Sequence, residues 1–410
     1  MSANRLWRKT DLPAAFPLPP FRADEEAPVY NANNGAGVQA FQNAKEAEAV
    51  DYASRLSDAG WTLQSDRRSG ENRFLTLRRG TDAARLLFLG GRDELRLLYE
   101  PEALFPPEKA DCPDSAPCCL RGLSLDQREI DCGMSYIVRA CDGSLFVIDG
   151  GYFTKGEDDR LFAALSDLSG GGEIRICGWY FTHIHQDHIG CFMEMTKHYR
   201  GRFSVEGFYY NFPSLALPEA DEWRAEDNVT SAEFYALMES CYADTPHYKI
   251  TTGQTFSIRN LDFEVLLSHE VIYPARVGNH NDASSVVALT VRGQRILFLG
   301  DTGEEESRLL LEMYGPLLKS DIVQVAHHGF NGADREVYRL ADAAVTLWPT
   351  ADYRLEGDLW RPANRFLAYE HPSEHFIAGF GDFHLPLPYT AGSVRDNSDR
   401  FPPQGDTARK

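Results

Sequence analysis

The sequence contains no run of eighteen apolar residues, so nothing in it reads as a membrane-spanning helix. Its opening stretch, MSANRLWRKTDLPAAFPLPP, lacks the apolar centre of a secretory signal, and the cytoplasm is the expected location. Paired C-x-x-C spacing is also missing. The eight cysteines (Cys112, Cys118, Cys119, Cys132, Cys141, Cys177, Cys191 and Cys241) are scattered without a regular framework, which argues for reduced thiols. The group Cys112, Cys118, Cys119 is the one place where a metal ligand or a disulfide stays open. Cations are in short supply: 41 Lys and Arg face 61 Asp and Glu, a formal net charge of −20. Such a surface repels long polyanions and disfavours a dedicated duplex-DNA binder. A small phosphodiester is not excluded, because bound metal cations can reverse the local field. No internal repeat and no signal for an oligomeric state is present.

What is there is an ordinary soluble composition, 43% hydrophobic and 25% charged. A chain of 410 residues can bury one large core and a smaller one. Residues 1–35 read as an irregular lead-in. Residues 36–110 read as a small α+β domain: a helix over 38–59 stopped by Gly60, then the strands WTLQSD, NRFLTLRRG, ARLLFLG and ELRLLYEP. PPEKADCPDSAPCC reads as a linker. The main domain is expected over 120–390, with a polar, mobile tail over 391–410. Within it, strands cluster in blocks separated by helices, including a hairpin across Arg292-Gly293-Gln294 and a helix EEESRLLLEMY. That order suits an α/β (α+β) four-layer αββα sandwich, two sheets inside and helices outside.

The chemistry concentrates in Thr182-His183-Ile184-His185-Gln186-Asp187-His188, which follows the apolar strand EIRICGWYFT. Alternate residues of a strand share a face, so His183 and His185 can project together. Asp187 and His188 then turn toward a second position as a helix begins. Neutral imidazole and carboxylate are the donors that zinc and similar divalent ions take. His198, His247, His269, His371, His375 and His384 match no motif.

With this cluster the chain resembles the metallo-β-lactamase superfamily over about residues 125–350, with motifs in the family's order: SLFVIDGG, HIHQDH, GNHNDASSVV, ILFLGD and VAHHG. The resemblance implies two divalent metal ions, zinc first, with manganese or iron using similar donors. It places His183, His185 and His280 on one ion, Asp187, His188 and His328 on the other, and Asp301 between them. Asp149 is implied to buttress the site without binding metal. In the doublet, His328 is the favoured ligand, while His327 contacts substrate or protonates the leaving group. Asp187 is the other residue given a catalytic role. Two cations sharing a carboxylate can also share a water and lower its pKa.

The HHG ending, with N-D-A-S before the Val-Val strand, is similar to the competence-type nuclease and phosphorylcholine esterase subgroup, in which phosphodiesters are hydrolysed. Asn281 and Ser284 fit its Asn-x-x-Ser pattern and would orient ligands. The leading expectation is a phosphodiesterase acting on a small or short phosphodiester, with no membrane partner. A thioester, lactone or amide hydrolase on the same site is the alternative. A di-iron oxygen-reducing centre is disfavoured by His185, where those relatives carry Glu. A non-catalytic binding protein is disfavoured by the near-complete ligand set. Trp179, Tyr180, Tyr209, Tyr210 and Phe212 read either as core or as pocket lining. The N-terminal domain is expected to cap the pocket or dock a partner.

Overall fold

The structure, a computed structural model, describes residues 6–7, 29–31, 37–107, 109–124, 132–213, 225–272 and 279–403, with backbone only for 6–7, 29–31 and 225–228. Most of the expected lead-in therefore lies outside the described residues.

Three sheets organise the chain. The front sheet has eight strands on its main and side paths, in the order His247–Lys249, Phe208–Tyr210, Ile174–Tyr180, Leu145–Ile148, Tyr136–Arg139, Cys118–Gly122 and Phe383–Leu387, with Phe203–Val205 also beside Ile174–Tyr180. The back sheet has seven strands: Thr255–Ile258, Leu261–Leu267, Val286–Val291, Gln294–Phe298, Ile322–Gln324, Val345–Trp348 and Glu374–Ile377. Inner strands of both sheets, such as Leu145–Ile148 and Val345–Trp348, are continuously buried, mainly apolar runs because both faces are covered there. Alternation sorts their side chains cleanly. Phe146, Ile148, Val287, Leu289, Ile296 and Phe298 point into the layer between the sheets. Leu145 and Val147 point out toward helices Glu157–Leu168 and Gln186–Tyr199. Val286, Ala288, Leu297 and Leu299 point to helices Glu304–Tyr314 and Arg335–Ala341. This is the four-layer αββα sandwich that the strand and helix order predicts. No helix among the described residues is long and apolar enough to cross a membrane.

The hairpin turn is as read: Arg292 and Gly293 both take positive φ, 52° and 83°, as a two-residue connection of this hand demands. Parallel pairing of Leu145–Ile148 with Ile174–Tyr180, and of Gln294–Phe298, Ile322–Gln324 and Val345–Trp348 in succession, brings several strand C-termini to one edge. Ligand sites in α/β sheets form at such edges.

The N-terminal sheet is antiparallel and seven-stranded, in the order Leu6–Trp7, Val29–Asn31, Gly37–Phe41, Glu94–Glu100, Asp82–Leu89, Asn72–Arg79 and Thr62–Ser69. Leu75, Leu86 and Leu97 cover helix Glu46–Asp58. Phe74, Leu87 and Leu98, on the opposite face, join the core beside Met313 and Leu266. Arg96 pairs with Glu94, both fully buried, and donates to the carbonyl of Glu270 at 2.6 Å across the seam. The unit is thus docked against the back of the sandwich.

One sequence expectation needs correction. The helix over 38–59 is shorter: Gly37–Phe41 is a strand, and Asn43 at φ 53° breaks the chain before the helix begins at Glu46. Val38 and Phe41 are spaced as on a helix, but they lie on opposite faces of a sheet buried on both sides. Residues of the expected tail up to 403 are described and make contacts with the sandwich. Phe401 packs edge-on to His375, Asn397 Oδ1 accepts from Ile377 N at 2.9 Å, and Tyr369 donates to the Pro402 carbonyl. The minor alternative left open for Cys112, Cys118 and Cys119 finds no support, since the three do not gather. Cys118 and Cys119 face opposite cores, and Cys112 instead lies with its Sγ 3.0 Å from that of Cys141. None of the eight cysteines is in a disulfide.

Candidate metal centre

Asp149 ends strand Leu145–Ile148 at φ 55°, a conformation a non-glycine residue holds only under constraint. The constraint is visible. Its Oδ1 accepts from the Thr182 amide at 2.8 Å, and its Oδ2 accepts from Thr182 Oγ1 at 2.8 Å and lies 2.7 Å from His188 Nδ1. Asp149 is fully buried, so these contacts fix the His188 ring and leave Nε2 as its outward donor.

Strand Ile174–Tyr180 delivers the central motif. His183 Nε2 and His185 Nδ1 face each other at 3.0 Å. His185 occupies the N-cap of helix Gln186–Tyr199, which places Asp187 and His188 in its first turn. The positive end of that helix favours the Asp187 carboxylate.

Asp301 follows strand Gln294–Phe298 through Gly300, whose φ is +57°. A Cβ there would lie 3.0 Å from Thr182 and 3.2 Å from Ser284, so the close approach wants glycine. The Asp301 amide donates to Ser284 Oγ at 3.1 Å. Its two carboxylate oxygens divide. Oδ2 lies 3.7 Å from His183 Nε2, whereas Oδ1 lies 3.2 Å from His188 Nε2 and 3.6 Å from His328 Nε2. Two groups of mutually close donors result: His183, His185 and Asp301, and Asp187, His188, Asp301 and His328. Asp301 belongs to both. Their donor set suits two divalent cations, and burial of nearly every member suits tight binding.

The remaining predicted residues fall around this pair. His280, 4% exposed, sets its ring edge-on to His185 with centroids 5.4 Å apart, beside the first group and not within it. His327 and His328 both sit at positive φ, 49° and 53°, which splays their rings. His328 turns inward: Nδ1 is 2.8 Å from the Pro349 carbonyl, and Nε2 is 3.1 Å from Asp187 Oδ2. The His327 side chain is 22% exposed, with Nε2 3.1 Å from Asn281 Nδ2 and 3.8 Å from Asp301 Oδ2.

In the metal-free protein the electrostatics are lopsided. Burial opposes charge on His188, but Asp301, Asp149 and Asp187 outweigh it and push its pKa well above the usual value. His328 is raised in the same way by Asp301 and Asp187 against its burial. Burial, followed by the neighbouring imidazoles, holds His183 well below. Asp187 and Asp301 are held well below the carboxylate range, since adjacent imidazolium charge overrides desolvation. A cation taken up by these donors would displace protons from them.

Several contributors carry no sequence motif. Gln324 Oε1 accepts from Leu299 N and Gly300 N, both at 2.8 Å, and holds the loop before Asp301. A lone polar residue in the apolar run DIVQVA was its only signal. Thr350 and Asn364 tie down the carbonyls of His328 and Gly329. Trp179, Tyr180, Tyr209 and Phe212 are buried core, and none lines the cavity at the site. That cavity, about 650 Å³, opens beside Asp301 and His327 toward Phe330, Trp360 and Arg361. No described residue of the N-terminal unit lines it.

Glu306 supplies a further handle. It is fully buried; Oε2 accepts from Gly303 N at 3.1 Å, and Oε1 has no partner among the described residues. Burial, then Asp282, raises its pKa to about 8. The folded value exceeds the unfolded one of about 4.3, so the stabilisation is complete below the latter and fades as pH rises toward 8. Glu306→Gln is expected to flatten the pH dependence of Tm between about 5 and 8. It should also melt a few degrees above the parent at the alkaline end, as calorimetry of metal-free protein would read.

Helices outside, two sheets inside, and metal-type donors at the strand ends in the order Asp149, His183 to His188, Asp301 and His328 define the metallo-β-lactamase fold. No family model matches the chain. It is similar to ComE operon protein 3 of Bacillus subtilis, 26% identical over 157 residues, which is 38% of this chain and 17% of that protein's own length. Among solved structures it is similar to unliganded yeast PDE1, with a TM-score of 0.39, 12% identity, and coverage of 66% of this chain and 100% of that one. It is also similar to CmlA, a diiron beta-hydroxylase from Streptomyces venezuelae (TM-score 0.39, 14% identity, 70% of this chain and 55% of that one). A third is Zn(2+)-bound PqqB from Methylobacterium extorquens (TM-score 0.35, 11% identity, 62% and 87%).

Proposed function

We propose that the protein is a metal-dependent hydrolase, and specifically a phosphodiesterase acting on a small or short phosphodiester in the cytoplasm. The observation that carries this reading is Asp301, shared by two donor groups through opposite carboxylate oxygens. His183, His185 and Asp301, with His280 alongside, would hold one ion; Asp187, His188, His328 and Asp301 would hold the other. When bound, such a pair of ions supplies Lewis acidity, lowering the pKa of a water and offsetting charge on a substrate oxygen. Zinc is the proposed metal, and manganese or iron would suit the same donors.

The chain's own residues contribute the rest. Asp149 and Thr182 lock the His188 ring. Burial, ahead of the opposing pull of Asp301, lowers the His327 pKa and keeps the ring neutral. Its Nε2 borders the cavity with Asn281 at hand, positioned to accept a proton and return it to a leaving group. Arg361, 22% exposed on the cavity wall and braced by Asp358 at 2.8 Å and by Asn331, suits an anionic oxygen. Its guanidinium lies 4.9 Å from the Trp360 ring centroid, which disfavours a cationic head group there. The net charge of −20 disfavours long nucleic acid.

The deciding assay pits bis-p-nitrophenyl phosphate against thioester, lactone and amide panels, with metal content measured on protein purified without chelators or a metal-affinity column. Turnover confined to the phosphodiester supports the proposal. Turnover confined to an acyl substrate replaces it with the acyl-hydrolase reading.

A further inference from the structure

A second cavity, about 740 Å³, lies at the seam between the N-terminal sheet and the outer strands of the back sheet, and shares no lining residue with the cavity at the metal centre. Its size is that of a small-ligand site. Its charge is unlike the rest of the chain. Arg67, Arg78, Arg85, Lys109 and Arg295 line it against only Asp262 and Glu264, in a protein whose net charge is −20.

The pairing is incomplete. Glu264 is divided between Arg67 at 2.8 Å and Arg295 at 3.0 Å, and Asp262 is taken by Lys109 at 2.7 Å. Arg85 gives Nη1 to Glu100 at 2.6 Å. Arg78 is exposed and has no carboxylate partner among the described residues; its Nε donates to the Gly80 carbonyl at 2.7 Å. Phe105 lies under both the Arg78 and Arg85 guanidinium groups, with centroid distances of 5.2 and 5.7 Å. The decisive feature is what remains unpaired. Arg67 Nη2, Arg85 Nε and Nη2, and Arg295 Nε are buried and have no hydrogen-bond partner among the described residues. Arg85 is itself only 3% exposed. Buried donors left unmade cost stability, and a natural fold rarely tolerates several in one place without a reason. Guanidinium forks with free N–H groups match phosphoryl oxygens in shape and charge.

We propose that this seam cavity is a binding site for a small molecule carrying two or more phosphoryl groups, separate from the metal centre. Its oxygens face the guanidinium groups of Arg67, Arg85 and Arg295, whose unpaired N–H groups turn to meet them on binding, and Arg78 and Lys109 close over its outer charge. Bound there, it ties strands Thr62–Ser69 and Asn72–Arg79 to strand Leu261–Leu267, joining the two units through a shared ligand.

The test is calorimetric titration of the full chain with inorganic pyrophosphate at physiological salt, after chelator treatment so that the metal centre holds no cation. Parent protein is expected to bind, about tenfold more tightly than it binds orthophosphate. Arg78→Glu, at an exposed position with no carboxylate to lose, should weaken pyrophosphate by about tenfold or more. Glu264→Gln should tighten it severalfold by releasing two guanidinium groups, a gain that misfolding cannot mimic. Asp301→Ala should leave binding unchanged. Silence from the chelator-treated parent overturns the proposal. So does parent-like binding by both Arg78→Glu and Glu264→Gln, equal affinity for orthophosphate, or loss of binding in Asp301→Ala.

Discussion

Asp301→Ala is expected to reduce bound metal from two ions to at most one per chain and to lower turnover of a phosphodiester by about 10³-fold or more, some 4 kcal/mol of barrier. The reason is the division of labour at one side chain. Oδ2 faces His183 and Oδ1 faces His188 and His328, and no other carboxylate among the described residues belongs to both donor groups. The variant should therefore take up fewer cations even at high metal concentration. His198→Ala serves as the control: that ring is 59% exposed and pairs with Asp158 on the outer helices, and its loss should alter neither metal content nor rate. Elemental analysis and kcat, measured on both variants, decide the matter. Full metal content with parent-like turnover in Asp301→Ala would end the dinuclear reading.

The centre was legible because its donors are concentrated. Three imidazoles and a carboxylate fall within His183 to His188, and Asp301 and the His327-His328 doublet each close an apolar strand. Strand ends are where a parallel sheet presents side chains to a ligand, so the pattern carried its own placement. The supporting residues were not legible, since they act across long separations. Gln324 reaches back to the loop before Asp301, and Pro349 and Thr350 hold His328 from a strand connection with no motif. Cationic residues near the motifs were likewise silent in sequence, and folding brings Arg361 to the cavity wall from beyond the last of them. Starting the helix at residue 38 had a similar origin. The three-residue spacing of Val38 and Phe41 fits a helix, and only the second buried face of the sheet shows why both are apolar.

The doublet yields the second large effect, and the two histidines are expected to fail differently. His328 is 1% exposed, lies within the second donor group, and has its ring fixed by the Pro349 carbonyl. His328→Ala should cost metal at the second position first and activity in consequence, so that added metal restores part of the rate. His327 is outside that group, borders the cavity, and is kept neutral by burial. His327→Ala should retain both ions and lose about 10²–10⁴-fold in kcat, the range for a displaced acid–base group, with KM changed far less. The pH profile separates the two further. A base that must be unprotonated gives the parent an acid limb in kcat/KM, and that limb should vanish in His327→Ala and persist, at a lower rate, in His328→Ala. Metal loss in the His327 variant with full occupancy in the His328 variant would exchange the two roles.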